Sequence, residues 1–144
     1  MKIRASIWGV GIVAVAMMGC GGAGGSATSF RSGTYEGTVT EPGRAYAGVQ
    51  IIVNSNGTVT GTCTISSATS AAIMGRATLA GTANMQTGKF DVSGFYVSNL
   101  PGPPGGGDGA IHVTGTIPAV GTTANQMTVD DNGYIFSGSI SPAL

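Results

Sequence analysis

The sequence predicts an all-β domain, a single small antiparallel up-and-down β-barrel or barrel-like sandwich of about eight strands. Three observations predict it. From residue 33 onward, apolar side chains alternate with Thr, Ser and charged residues at a period of two, the spacing of half-buried strands. Short runs rich in Asn, Asp and Gly separate these stretches, and such residues tolerate the positive φ of tight hairpin turns. A glycine also recurs at the inward phase of strand after strand, where a small barrel needs room to bend.

The elements follow in order. In "GTYEGTVTE", Tyr35, Gly37 and Val39 share one face, and Glu36, Thr38 and Thr40 the other. In "AGVQIIVN", Val49, Ile51 and Val53 share a face, and "NSNG" makes the turn. "TVTGTCTIS" sends Val59, Gly61, Cys63 and Ile65 inward and four threonines, Thr58, Thr60, Thr62 and Thr64, outward. "IMGRATLAGTA" groups Ile73, Ala77, Leu79 and Gly81. A turn near "MQTG" leads to "KFDVSGFYV", with Phe90, Val92, Gly94 and Tyr96 inward. "AIHVTGTI" turns Ile111, Val113, Gly115 and Ile117 inward, and "NQMTVD" adds Met127 and Val129. After a second turn at "DNG", "YIFSGSI" closes the domain with Tyr134, Phe136, Gly138 and Ile140 inward.

The pattern apolar-x-Gly-x-apolar recurs around Gly37, Gly61, Gly94, Gly115 and Gly138. Inward Tyr and Phe rings are expected to fill the space above such glycines, and closure of the sheet would leave no exposed edge. The face opposite the bulky residues carries Thr, Ser, Glu, Asp and Lys, the inverse of a membrane-spanning barrel, which turns an apolar band outward.

Composition narrows the function. From residue 20 onward the chain carries Arg31, Arg44, Arg76 and Lys89 against Glu36, Glu41, Asp91, Asp108, Asp130 and Asp131. That balance supplies no basic patch for nucleic acid. His112, the only histidine, alternates with Ile111 and Val113 and so belongs on the wet face beside Thr114. Nothing in the sequence sets a nucleophile and an acid around it. Cys63 falls on the inner face, where a buried inert thiol is expected. "VDDNGY" reads as a hairpin turn, with a weak cation loop as the lesser reading. No catalytic residue, metal ligand or cofactor is assigned, and the chain is expected not to be an enzyme.

The first twenty residues, "MKIRASIWGVGIVAVAMMGC", combine Lys2 and Arg4 with an uncharged run over 7–18. That run has the length of a signal-peptide core and falls short of the roughly 20 residues of a spanning helix. "MMGC", with Gly19 before Cys20, resembles the lipobox of bacterial lipoproteins. The resemblance implies cleavage before Cys20 and a lipid on its sulfur, hence attachment to a membrane of the bacterial cell envelope. Gly21 in place of aspartate leans toward an outer membrane, with the domain periplasmic or surface-facing. Two alternatives stay open: ordinary secretion with cleavage after "AVA", or a retained membrane helix. The expected organisation is a signal peptide at 1–19, a lipidated Cys20 and Gly/Ser tether at 20–32, and an all-β domain at 33–141. The glycines of "CGGAGGSATS" suit a flexible spacer.

One segment breaks the short-turn rhythm. "FYVSNLPGPPGGGDG" holds a loop at 98–108, preceded by Phe95 and Val97 on the wet face. With Leu100, Pro101, Pro103 and Pro104 these residues form a candidate partner-contact surface; the bland reading is a spacer. The expected function is a membrane-anchored, extracytoplasmic lipoprotein whose non-enzymatic domain binds an envelope partner or serves a structural role. The alternative is a lipocalin-like carrier holding a small apolar ligand among Tyr35, Tyr96, Met127 and Phe136.

Overall fold

The computed structural model describes residues 30–41, 45–67, 72–99 and 108–144. Eight strands follow one another: β1 (Gly33–Glu41), β2 (Ala45–Val53), β3 (Thr58–Ser67), β4 (Ile73–Ala83), β5 (Lys89–Ser98), β6 (Gly109–Thr116), β7 (Asn125–Asp131) and β8 (Tyr134–Pro142). Each pairs antiparallel with the next, and β8 pairs with β1, so the meander is a closed barrel. The expected all-β, up-and-down architecture is the one found.

The register fixes the width of the interior. A line of directly paired residues runs Gly33, Val53, Val59, Gly81, Val92, Val113, Val129, Phe136 from β1 to β8. The next residue, Ser137, pairs with Thr40, so the line re-enters β1 at Glu41, eight residues beyond Gly33. Eight strands with a stagger of eight are the dimensions of the parallel barrel in (β/α)₈ enzymes, where strands tilt by about 36° and side chains fill the interior. The core here is filled in the same way. Tyr35, Val39, Ile51, Leu79, Ile111, Val113, Met127, Phe136 and Ile140 belong to one buried cluster.

Inward glycines let strands so tightly coiled keep large rings inside. A Cβ on Gly115 would stand 2.8 Å from both Phe90 Cε1 and Gln126 O. A Cβ on Gly75 would fall into the Tyr96 ring, and one on Gly37 would stand 2.7 Å from Met127 Cε. The expected placement of rings over glycines therefore holds at Phe90 on Gly115, and the Tyr96 ring takes the same place over Gly75, a glycine outside the repeated pattern. The four residues expected to line a ligand cavity, Tyr35, Tyr96, Met127 and Phe136, are each only 2–3% exposed and belong to that same core.

Two inward assignments need correction. Ile73 is 39% exposed because a β-bulge shifts the β3–β4 register. Ile65 pairs with Gly75 but Ser66 pairs with Ile73, so Met74 is the extra residue and Ile73 leaves the inner phase. Tyr134 is 42% exposed: it keeps the inward phase but stands at the rim, one pair beyond Phe136, where the core has ended.

The barrel has two unlike ends. At the lower end the chain enters at Gly33, and the β2–β3, β4–β5 and β6–β7 connections gather there. Phe30 and Met85 pack against the core, Ile117 N donates to Gly88 O at 2.8 Å, and Ala143 N donates to Thr34 O at 3.0 Å. The upper end bears the β1–β2, β3–β4 and β5–β6 connections and the tight Asp131–Tyr134 turn, where Asn132 (φ 55°) and Gly133 (φ 93°) give the type I′ geometry that hairpins favour.

Gly115→Val is expected to lower stability by about 1–3 kcal/mol through overpacking against Phe90. Thr60→Val, on the exposed face, should stay within about 0.5 kcal/mol. Urea titration of the two variants compares them, and equal losses would mean that the inner and outer faces are misassigned.

Candidate functional site

With Phe30 and Met85 packed against the core at the lower end, the candidate contact residues on β5 stand toward the upper end. Phe95 (60% exposed) and Val97 (53%) project outward from the last half of β5. Their cross-strand neighbours are Thr78 and Arg76 on β4, and Ala110 faces Phe95 from β6. Asp108 ties down the base of the following loop by accepting a hydrogen bond from Ser98 N at 2.8 Å. Leu100, Pro101, Pro103 and Pro104, expected to share this surface, lie outside the described residues, as does Cys20. The structure adds three exposed apolar side chains at the same end: Ile73, Tyr134 and Ile135. Ile73 was hidden by the bulge. Ile135 carried a signal, being apolar on the wet phase between Tyr134 and Phe136.

The inner side of this rim holds a polar group. Asp131 continues the phase of Met127 and Val129 and so faces inward, whereas Asp130 faces outward and accepts a hydrogen bond from Gly133 N at 2.8 Å. The two carboxylates of "VDDNGY" thus lie on opposite sides of the sheet, which removes the weak cation-loop reading. Burial, and then the charge of Asp130, raises the Asp131 carboxyl above its ordinary value. Burial, followed by the Asp131 charge, pushes the Cys63 thiol up to about 12. The Tyr96 hydroxyl also rises to about 12, through burial first and then Asp131, Cys63 and Asp108. Cys63 is fully buried and free, on the inner face as expected.

His112 lies on the wet face as expected, but not without an acid. Its Nε2 stands 2.8 Å from Asp91 Oδ1, a diagonal contact between β5 and β6. Ser93 faces His112 directly across the pair, so serine, histidine and aspartate are neighbours on the outer wall. The only hydrogen bond of the ring among the described residues goes to Asp91, and the two side chains are 50% and 68% exposed. This is the geometry of a surface ion pair, worth little in water. A second polar feature is an open groove of about 660 Å³ across β8, β1, β2 and β3, where Gln50 Nε2 donates to Glu36 Oε1 at 2.6 Å beside Thr38, Thr62 and Ser139. Among the described residues no group of three or more His, Cys, Asp or Glu could hold a metal ion.

Compared with protein-family models, curated proteins and solved structures, the chain matches none.

Two predictions follow from the rim chemistry. Because the folded Asp131 carboxyl titrates above its unfolded value, the stability it contributes is present below the unfolded value and is lost as pH rises through the folded one. Asp131→Asn should therefore raise the melting temperature at pH 7, with the gain vanishing near pH 3, below the unfolded value of about 3.9. In the folded chain at pH 8, Cys63 should react with a thiol reagent at least about a thousandfold more slowly than in denaturant, because a thiol near 12 offers that much less thiolate. Rapid labelling of the native protein would place Cys63 outside the core.

Proposed function

We propose that this chain is a membrane-anchored, extracytoplasmic lipoprotein of the bacterial cell envelope, held by a lipid on Cys20, whose non-enzymatic β-barrel presents its upper end to an envelope partner. The observation that carries the reading is the polarity of the barrel. The chain arrives from the Gly/Ser stretch at the lower end, at Gly33, while Phe95, Val97, Ile73, Tyr134 and Ile135 stand at or near the opposite rim. A tether at one end leaves the other free to meet a second protein, and Phe95 and Val97, neighbours on one face of β5, give that end an exposed apolar pair of the kind a contact surface uses. The filled interior supports a binding or structural role on the outer surface over carriage of a small apolar ligand inside.

Mass spectrometry of the mature N-terminal peptide tests the anchor. The expected product begins at Cys20 and carries acyl chains, and Cys20→Ser abolishes the modification. An unmodified N-terminus at Met17 would contradict it. The partner surface is tested by cross-linking on intact envelopes. Phe95→Ser with Val97→Ser should leave the melting temperature within about 3 °C, since both side chains are exposed, yet reduce the specific cross-linked product about tenfold or more. Unchanged cross-linking would exclude this rim as the contact.

A further inference from the structure

The inward glycines of the barrel make room for what lies over them, but Gly48 faces the other way. It sits in the middle of β2 between Ala47 and Val49, both buried, so its own position is outward. Every other strand glycine among the described residues has the inward phase. At Gly48 nothing beyond the adjoining residues lies within 4 Å of where a Cβ would stand, and φ is not positive. The β1–β2 and β2–β3 ladders pass through it without a register shift. Close packing, a turn and a bulge therefore give no reason for glycine there. A glycine inside a strand weakens it, and its remaining use is to let a ligand come close to the backbone.

The absent side chain lies in the groove of about 660 Å³ on this wall, a volume within the range of small-molecule sites. One outward row across it runs Ser139, Thr38, Gly48, Thr64 from β8 to β3, and the next runs Glu36, Gln50, Thr62. The strands beneath are paired on both sides, so their N–H and C=O groups are taken by the ladders and no peptide strand can add to them. What the groove offers is side-chain chemistry: hydroxyls, an amide and one carboxylate. The Gln50 amide is positioned by its hydrogen bond to Glu36 Oε1 at 2.6 Å. Glu36 is the only ionisable side chain among the described residues that line the groove; Arg76 follows Thr64 in the first row, beyond the lining. Tyr46, half-buried, stands two residues before Gly48 on the same face of β2.

We propose that this groove binds a neutral oligosaccharide, with a sugar ring lying over Gly48. Sugar hydroxyls are at once donors and acceptors, which matches a wall of threonine and serine hydroxyls. Adjacent hydroxyls of one ring can span the Gln50 amide and the Glu36 carboxylate as a pair, and hydrogen bonds to the carboxylate are the stronger kind. The apolar C–H face of the ring suits the body of Tyr46. A carboxylate with no lining cation disfavours a phosphorylated or sulfated ligand, since like charges brought together are costly. The opposite wall offers no equivalent: its outward side chains include Lys89, Asp91, His112 and Asp130, and it holds no outward glycine. The groove lies on the side of the barrel, so the inference stands independently of a lipid on Cys20 and of a partner at the upper rim.

The test follows backbone amide shifts of the full-length protein in zwitterionic micelles during titration with maltotriose, cellotriose and chitotriose. At least one of these sugars should bind in the millimolar range or tighter and shift Gly48, Gln50 and Thr62, leaving Ser93 on the opposite wall unmoved. Gly48→Val has open space for its side chain and a higher strand propensity, so it should keep or raise the melting temperature. The same change should weaken the bound sugar at least about tenfold by filling the floor and displacing its hydrogen bonds. Gln50→Ala, at an exposed position, should weaken it similarly, and Ser93→Ala should leave it unchanged. No shift in the groove with any of the three sugars would overturn the inference, as would a folded Gly48→Val that binds as the parent does. A sulfated heparin fragment that shifts the same amides more strongly than the neutral sugars would overturn the ligand class.

Discussion

The ladder between the first and last strands is the constraint on which the rest of the molecule depends. It runs from the pair Tyr35–Pro142 to the pair Thr40–Ser137. Every other ladder joins strands adjacent in sequence and can form from a local hairpin or a short connection. This one brings together residues about a hundred positions apart, so the entropy of closing the chain is borne there. Without it β1 and β8 would each present unpaired N–H and C=O groups, the usual template for edge-to-edge aggregation. With it, the stagger is set, and the stagger determines how much room is left inside.

That room is small, which explains why so many inward positions are glycine. At Gly75 and Gly115 the space a Cβ would need is taken by the Tyr96 and Phe90 rings. Large rings and absent side chains alternate so that the core closes without a central hollow among the four residues that could have lined one. Chemistry is therefore displaced to the ends and the outer wall. The lower end is tied together by Phe30, Met85 and backbone hydrogen bonds between connections, and the upper end carries the exposed Phe95, Val97, Tyr134 and Ile135 together with an inward carboxylate, Asp131.

Much of this was legible in the sequence, because a strict period of two reports which face a residue occupies. The strands Gly33–Glu41 and Ile73–Ala83 have the ends that alternation and turn residues predict, and the others differ by a residue or two. What the alternation cannot carry is register. Ile73 left the core because one extra residue, Met74, enters the ladder, and no local pattern announces a bulge. The contact between His112 and Asp91 crosses two strands joined by the longest connection, so their alignment could not be counted from a turn. Asp131 was the opposite case. Its inward phase was readable from Met127 and Val129, but the strong turn signal of "DDNG" drew both aspartates into one reading. Of the candidate contact surface, Phe95 and Val97 were found by phase alone.

Closure itself is tested most directly by native-state hydrogen exchange resolved to individual amides. The β1–β8 ladder should show protection equal, within experimental error, to that of the β3–β4 ladder, with both exchanging only through global unfolding. Protection of β1 and β8 lower by a hundredfold or more, equivalent to about 2.7 kcal/mol of easier local opening, would show two edges in place of a seam and contradict the closed barrel.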